Sequence, residues 1–255
     1  MKFHVITIFP RIFDSYFNES ILKRAQKNNL IEIKIHDLRQ WTTDKHKTVD
    51  DRPFGGGAGM VMKIEPIYKA LRNITAPLIK GVRGIKPNSK IILLSAKGET
   101  WNQQLAQKYS KLDNIILICG RYEGVDERVK KFVDEEISVG NYILTGGELP
   151  AMTIIDSITR LLPNALGNKK SLEQESFNNQ IKNLKSPSSR AQTEGKIENH
   201  YLEYPQYTRP EVFVYSPLIK GVRGIKKYRI PKILLSGNHD KIEQWRKKHS
   251  KIINK

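Results

Sequence analysis

Two glycine-punctuated segments in the middle of the chain have the residue types of a ligand-binding pocket. They are residues 119–124 and 139–150, and their first glycines are about twenty residues apart. Glycine lets a main chain approach a ligand closely and adopt positive φ angles that side chains disfavour. Each segment follows a strand-like run and leads into a helical pattern, so we expect both to line one pocket at the edge of a sheet.

The side chains in these turns can contact a ligand, although a structural explanation also accounts for them. Tyr122 can stack on a base, and Glu123 can accept a hydrogen bond from an ammonium group; the alternative is a left-handed turn with an exposed tyrosine. The backbone of residues 140–144 can bond an adenine edge, with Ile143 and Leu144 on its face. The spacing alone does not select adenine over another small molecule.

A third glycine-rich segment, residues 46–60, matches neither a dinucleotide-binding GxGxxG pattern nor a P-loop. A phosphate-binding nucleotide fold is therefore disfavoured. With Arg52 and neighbouring lysines, a loop containing Gly57 can clamp an RNA backbone. A plain mobile loop explains the same residues equally well.

The helical pattern after Pro150 places Asp156 and Arg160 four residues apart. They fit a surface ion pair, which is the commoner case. Alternatively, Arg160 projects into the cleft and stabilises charge that develops on a substrate oxygen. Glu173 and Glu175 follow on a polar segment, where a carboxylate is either solvated or a base that is ordered by substrate.

The composition limits the class of protein. Lys plus Arg number 44 against 26 acids, and the net charge of +18 favours a polyanionic partner such as nucleic acid, although a general lysine bias would also produce it. Cys119 is the one cysteine, which fits a reducing compartment and a buried structural role. Because we find neither a signal peptide nor a membrane-length apolar run, we expect a soluble, cytoplasmic protein without a membrane partner.

Strands alternate with helices over residues 1–167, which predicts an α/β domain with a mostly parallel sheet. Residues 168–200 are polar and aperiodic, so we expect a flexible linker with an insertion. Residues 201–255 predict a small, strongly basic C-terminal domain with a helix capped near Asn238. The ten residues 77–86 recur as 217–226; we interpret both copies as inserted surface loops, the alternative being RNA-contacting arms.

Several motifs in order give the chain a family resemblance. They occupy residues 6–10, 46–60, 120–126, 140–152, 175–177, 204–213 and 235–239. In these motifs the chain resembles the bacterial tRNA (guanine-N1)-methyltransferases, which methylate guanine 37 of tRNA with S-adenosylmethionine. The resemblance covers almost the whole chain and leaves the inserted segments outside the motifs.

The resemblance implies an α/β fold with a deep trefoil knot of the SPOUT type, in a homodimer with shared active sites. It also implies that the C-terminal domain, residues 201–255, is mainly helical and binds tRNA. It implies that S-adenosylmethionine binds in the knot loops, at Gly120, Val139, Gly140, Asn141, Tyr142, Ile143, Leu144 and Gly146. The tRNA, as the substrate partner, is expected to contact Arg52, Gly57, Tyr122 and Glu123.

The resemblance also assigns two catalytic residues. Glu175 is the expected general base for guanine N1, and Arg160 is expected to stabilise negative charge on O6. Many relatives have Asp where this chain has Glu175. No metal ligand is predicted, although the family suggests that Mg2+ assists deprotonation. The competing hypotheses are a non-catalytic RNA-binding protein with the same fold and, more weakly, an RNA enzyme that uses another nucleotide.

Overall fold

The structure is a computed structural model that describes residues 1–79, 88–166, 199–202, 204–215, 225–249 and 251–254. In chain order its strands are β1 (Lys2–Thr7), β2 (Glu32–Asp37), β3 (Asp50–Asp51), β4 (Val61–Met62), β5 (Ser89–Thr100), β6 (Asn114–Cys119), β7 (Glu135–Ser138), β8 (Asn199–Leu202), β9 (Val212–Tyr215), β10 (Lys226–Arg229) and β11 (Lys251–Asn254). The α-helices are α1 (Asp14–Phe17), α2 (Ser20–Lys27), α3 (Ile64–Ile79), α4 (Gln103–Tyr109), α5 (Glu148–Thr159) and α6 (His239–His249). Short 3-10 helices occupy Pro10–Phe13, Leu38–Trp41, Glu127–Phe132 and Lys232–Leu235.

The central sheet has five strands in the order β2-β1-β6-β5-β7, and all neighbours in it are parallel. The predicted α/β class with a parallel sheet is therefore confirmed. The register between β5 and β7 shifts between Leu94 and Glu99, so the chain bulges at the carboxyl end of β5. This bulge brings Lys97 to the edge where the glycine turns begin.

Apolar side chains cover both faces of the sheet, as expected for continuous apolar strands. On one face, Phe3 and Leu117 pack with residues of α2, α4 and α5; on the other, Ile6 and Ile118 pack with α3. Every residue of β6 is buried. Because the strands are buried on both faces, they hold the loops at the carboxyl edge of the sheet in fixed positions.

The spacing of apolar residues after Pro10, from Ile12 to Leu22, predicts one helix, but the structure breaks it into three pieces. A 3-10 helix and α1 are separated from α2 by Asn18 and Glu19, and Ser20 has a φ of 47°. The helix predicted at Asp126 is a 3-10 helix, capped by the Asp126 side chain, which accepts a hydrogen bond from the Arg128 amide. Phe13, Phe17 and Leu22 of the first pattern are buried as predicted, whereas Ile12 and Tyr16 are exposed.

The described part of the C-terminal region contains a hairpin as well as helices. Strands β9 and β10 pair antiparallel, and the aromatic rings of Phe213 and Tyr215 pack against Tyr68 and Phe132 of the sheet domain. Helix α6 begins after Asn238, whose side chain accepts from the Lys241 amide at 3.0 Å. Helical structure here is confined to Lys232–Leu235 and α6.

Several predicted features lie outside the described residues. They are almost all of the linker at 168–200, including Glu175, and most of both copies of the decapeptide repeat. Within the described ranges, no helix is long and apolar enough to cross a membrane.

Candidate functional site: a pocket between glycine turns

The two glycine turns line one pocket at the carboxyl edge of the sheet. Its volume is about 570 Å³, within the range of small-molecule sites. The first turn contributes residues 120–125, the second contributes residues 139–147, and the end of β5 contributes residues 93–97. All eight residues predicted to bind the cofactor lie in its lining: Gly120, Val139, Gly140, Asn141, Tyr142, Ile143, Leu144 and Gly146.

Backbone crowding explains the glycines. Gly147 donates its backbone N–H to the carbonyl of Gly120 at 2.9 Å. A Cβ atom added at Gly147 would lie 2.6 Å from Cys119 Cα, so only glycine fits between the turns. Gly140 has a φ of +154°, and an added Cβ would collide with the Tyr142 ring. The pocket therefore exists because two main-chain segments touch where side chains are absent.

The second turn presents main-chain groups to the pocket. In the part of the chain that the structure describes, no hydrogen bond engages the backbone amides of Tyr142, Ile143 and Leu144. The three side chains are exposed, with Ile143 at 83%. An apolar surface with unpaired amides can bind a flat heteroaromatic ring and hydrogen-bond its edge.

Tyr122 and Glu123 lie between the pocket and the glycine-rich loop, which we define as residues 52–60. Tyr122 is 47% exposed and has a φ of 59°, so it occupies the left-handed turn that the sequence allowed. Burial raises the pKa of its phenol, and the Asp50 carboxylate raises it further. The Glu123 amide donates to the Met60 carbonyl at 3.0 Å. The first turn thus contacts both the pocket and the loop.

The rest of the predicted tRNA contacts lie outside the pocket lining. Arg52 is exposed, and its carbonyl accepts from the Thr208 hydroxyl at 3.0 Å. Gly57 has a φ of +127° beside the Arg246 guanidinium, which donates to the Gly56 carbonyl at 2.5 Å. The loop is therefore held against the C-terminal region, and it meets the pocket lining where the Glu123 amide bonds Met60.

One end of the pocket is charged. The Lys130 ammonium lies 2.8 Å from a Glu127 carboxylate oxygen and 3.0 Å from one of Glu136. Burial raises the pKa of Glu127, and the hydrogen bond from Lys130 opposes that shift. Lys97 lines the same end and donates to the Tyr204 carbonyl at 3.0 Å. Sequence reasoning missed this group of charges.

A buried ion pair supports the first turn from behind. Glu148 is 2% exposed; it accepts from the Thr7 hydroxyl at 2.8 Å and from Arg121 Nε at 3.0 Å. The Arg121 guanidinium also lies over the Phe9 ring, at 4.6 Å from its centroid. These contacts fix Arg121 at the pocket wall and join β1 to both glycine turns.

Of the two predicted catalytic residues, the structure describes Arg160 and not Glu175. Arg160 caps the carboxyl end of α5, is half-buried, and does not contribute to the pocket lining. Asp156, its expected ion-pair neighbour, accepts from the Tyr16 hydroxyl at 2.6 Å. Glu175 lies outside the described residues, so its placement beside Arg160 stays a prediction. Within the described ranges, no group of three or more His, Cys, Asp or Glu side chains could hold a metal ion.

Comparison with known proteins identifies the family of the chain. The family profile described as "tRNA (Guanine-1)-methyltransferase TrmD" matches residues 1–254. The chain belongs to this family. Among curated relatives, the "tRNA (guanine-N(1)-)-methyltransferase" of Dictyoglomus turgidum is 47% identical over 250 residues, covering 98% of this chain and 85% of the relative. The protein of the same name from Clostridioides difficile is 44% identical over 256 residues, covering 100% and 94%.

A solved structure of a related protein has a similar fold. The crystal structure of tRNA (m1G37) methyltransferase from Aquifex aeolicus superposes with a TM-score of 0.59 at 35% identity, covering 98% of this chain and 88% of that chain. The resemblance stated from the sequence motifs is thereby confirmed at the level of the family. The pocket of this family member is lined by the segments that carry its motifs.

Some lining residues were not predicted, although the sequence contained a signal for them. Lys97 follows the strand-like run that ends at Ser95, which is the same arrangement that singled out the glycine turns. Gln206 lies in the motif of residues 204–213 and lines the pocket from a position more than 80 residues after the first glycine turn. Cys119 is buried behind the first turn, and burial raises the pKa of its thiol well above the usual value.

Proposed function

We propose that this protein transfers a methyl group from S-adenosylmethionine to the N1 nitrogen of guanine at position 37 of tRNA, beside the anticodon. One observation carries the proposal: in a chain of the TrmD family, both family glycine motifs line a single pocket of about 570 Å³. Methylation of tRNA transcripts with guanine or adenine at position 37 is the direct assay.

The pocket residues fit S-adenosylmethionine. The unpaired amides of residues 142–144 suit the edge of an adenine ring, and Ile143 and Leu144 suit its face. The charged end, with Lys97, Glu127 and Lys130, suits the carboxylate and ammonium of an amino acid. When bound, this cofactor supplies an electrophilic methyl group.

The catalytic roles are proposals about Glu175 and Arg160. A carboxylate at Glu175 accepts the N1 proton, which leaves the nitrogen lone pair free to attack. Arg160 stabilises the negative charge that spreads to guanine O6. Support comes from the helix position of Arg160, whose half-buried side chain keeps a guanidinium partly shielded from water. A divalent ion that assists deprotonation would make the rate sensitive to chelators, and a Mg2+ titration after EDTA treatment tests this.

The tRNA-binding role rests on charge and on exposed groups beside the pocket. The net charge is +18, and α6 carries Arg246, Lys247 and Lys248 in its last turn. Tyr122 is exposed enough to stack on the target base, and Glu123 lies next to it. Arg52 and Gly57 on the glycine-rich loop are the proposed contacts to the backbone.

The assembly is proposed to be a knotted homodimer with two domains. Close passage of the two glycine turns, as in the Gly147–Gly120 hydrogen bond, suits a trefoil knot. Large apolar side chains that are at least 40% exposed lie on the 3-10 helix at Pro10–Phe13, α1, α5 and the second turn, and include Ile12, Tyr16, Leu149, Tyr142 and Ile143. A surface of this kind suits a subunit interface. Sedimentation equilibrium gives the subunit number.

The rival function is an RNA-binding protein that keeps the fold without catalysis. The second turn favours the enzyme. Its backbone is crowded around glycines, and a protein that does not bind a cofactor has no need of such a pocket. Isothermal titration calorimetry with S-adenosylhomocysteine separates the two hypotheses: the enzyme binds this reaction product, and a protein that only binds RNA does not. The third hypothesis, another nucleotide, predicts binding of ATP or GTP instead.

A further inference from the structure

Residues 204–209, which we call the strap, run from the pocket to the glycine-rich loop. At the pocket end, the Tyr204 carbonyl accepts from Lys97 at 3.0 Å and the Gln206 carbonyl accepts from the Glu127 amide at 2.7 Å. Gln206 also lines the pocket. The strap thus forms part of the wall against which a ligand would pack.

The other end of the strap holds the glycine-rich loop. The Phe54 amide donates to the Tyr207 carbonyl at 3.0 Å, and the Thr208 hydroxyl donates to the Arg52 carbonyl at 3.0 Å. An Arg209 Nη1 atom lies 2.7 Å from an Asp51 carboxylate oxygen. The loop has four glycines with positive φ, which leave it little conformational preference of its own. Contacts from the strap therefore help to set its position, together with Arg246 at Gly56 and Glu123 at Met60.

A buried ion pair anchors the middle of the strap. Asp126 is fully buried and Arg128 is 4% exposed; their side chains form two hydrogen bonds of 2.8 Å. Asp126 also accepts from the Thr208 amide at 3.0 Å, and Arg128 donates to the Thr208 carbonyl at 2.9 Å. Both backbone groups of Thr208 are thus held by one rigid pair that follows directly on the first glycine turn.

We infer that the strap couples the two binding surfaces, with Thr208 as the positioning residue for the glycine-rich loop. A ligand that packs on Gln206 restricts the strap, and the restricted strap presents the loop in a fixed position to the tRNA. Because coupling between binding sites is reciprocal, each ligand strengthens binding of the other. The inference rests on the proposed function, which assigns the cofactor to the pocket and tRNA to the loop.

The Thr208 hydroxyl can be removed without changing the shape of the side chain. Thr208→Val deletes the hydrogen bond to the Arg52 carbonyl, whereas Thr208→Ser retains the hydroxyl and is the matched control. S-adenosylhomocysteine is the pocket probe, and unmodified tRNA with guanine 37 is the second ligand. Both dissociation constants are measured with and without the other ligand.

We expect S-adenosylhomocysteine to strengthen tRNA binding by wild type and by Thr208→Ser. In Thr208→Val we expect this strengthening to fall by about fivefold, as for one neutral hydrogen bond. Its affinity for S-adenosylhomocysteine alone should stay within about twofold of wild type, because the hydroxyl does not face the pocket. Unchanged coupling in Thr208→Val, or equal loss of both affinities, would overturn the inference.

Hydrogen exchange on the wild-type protein provides a second test, which needs no variant. S-adenosylhomocysteine should slow exchange of the amides of residues 52–57 by about fivefold, because these residues contact the strap and do not line the pocket. Residues 58–60 are left out of this test, because Glu123 of the pocket wall contacts Met60 directly. If the probe binds and exchange in the loop does not change, the coupling is wrong and the proposed function stands. If the probe does not bind at all, the proposed function itself fails.

Discussion

The backbone N–H of Gly147 lies 2.9 Å from the carbonyl oxygen of Gly120, which joins the two glycine turns directly. The contact forms at the point where β6 ends and α5 begins, and Cys119 is packed beneath it. At this point the two turns thus meet through main-chain atoms. Changes at this contact should alter the pocket before they alter the rest of the sheet.

Gly147→Ala should destabilise the protein by roughly 2 kcal/mol, because its Cβ would overlap Cys119 and the surrounding backbone cannot move freely. Gly147 has a φ of −81°, so the cost is steric and not conformational. Chemical denaturation measures the free energy of unfolding. The exposed neighbour Thr145→Ala is the control and should stay within about 0.5 kcal/mol. Equal stability of both variants would show that the turns are not in close contact.

The Cys119 thiol should be unreactive in the folded protein. Burial raises its pKa well above the usual value, and the Glu148 carboxylate adds to this effect, so the thiol stays protonated at neutral and mildly alkaline pH. Reaction with a chromogenic disulfide at pH 8 should be at least about a hundredfold slower than in guanidinium chloride. Cys119→Ala should retain methyl transfer. A fast native reaction would contradict the burial.

The His4–His36 pair should make stability depend on pH. The two ring nitrogens are 3.0 Å apart, and burial, together with the charge of His36 and Lys34, lowers the pKa of His4 to about 4. Because the unfolded chain binds a proton more readily than the folded chain, stability is present above pH 6.5 and is lost as the pH falls toward 4. Glu32 opposes this shift, and Lys2 adds to it.

We expect the free energy of unfolding to fall by about 1 kcal/mol from pH 7 to pH 5 through this pair, after allowance for solvent screening. His4→Gln should flatten that part of the pH profile. His46→Gln changes an exposed histidine and should leave the profile as in wild type. A His4→Gln profile that matches wild type would exclude the pair as the cause.

Arg128→Met should destabilise the protein by roughly 3–5 kcal/mol, because it leaves the Asp126 carboxylate buried without its partner. The carbonyl of Thr208 also loses a donor. Lys131→Met, on the exposed side of the same 3-10 helix, is the control and should have little effect. Denaturant midpoints of the two variants decide this prediction, and a similar midpoint for both would refute it.

Local patterns predicted the parts of the fold in which one physical cause dominates. Strand β6 is a continuous apolar run, and the structure buries all of it in a parallel sheet. The glycine turns were likewise predicted to share a pocket, because parallel strands end at the same edge. The helical pattern after Pro10 was less successful, since Ser20 with its φ of 47° interrupts the helix without a proline or glycine signal.

Contacts between distant residues were beyond local reasoning. Asp126 and Thr208 are 82 residues apart, and no spacing rule pairs them. The same holds for Thr7 and Glu148, which are 141 residues apart and hold the pocket wall. The ligand, the tRNA and the catalytic residues came from family motifs, since the chemistry of Arg160 and Glu175 depends on a substrate that local patterns do not specify.

The most direct test of the central proposal is single-turnover methyl transfer to a tRNA transcript with guanine 37, at saturating S-adenosylmethionine. Wild type should form N1-methylguanosine at position 37 and leave an adenine-37 transcript unmodified. Glu175→Gln and Arg160→Ala should each lower the rate constant by about a hundredfold or more, with S-adenosylhomocysteine affinity retained. Wild-type protein that binds S-adenosylhomocysteine but leaves guanine 37 unmethylated would contradict the account.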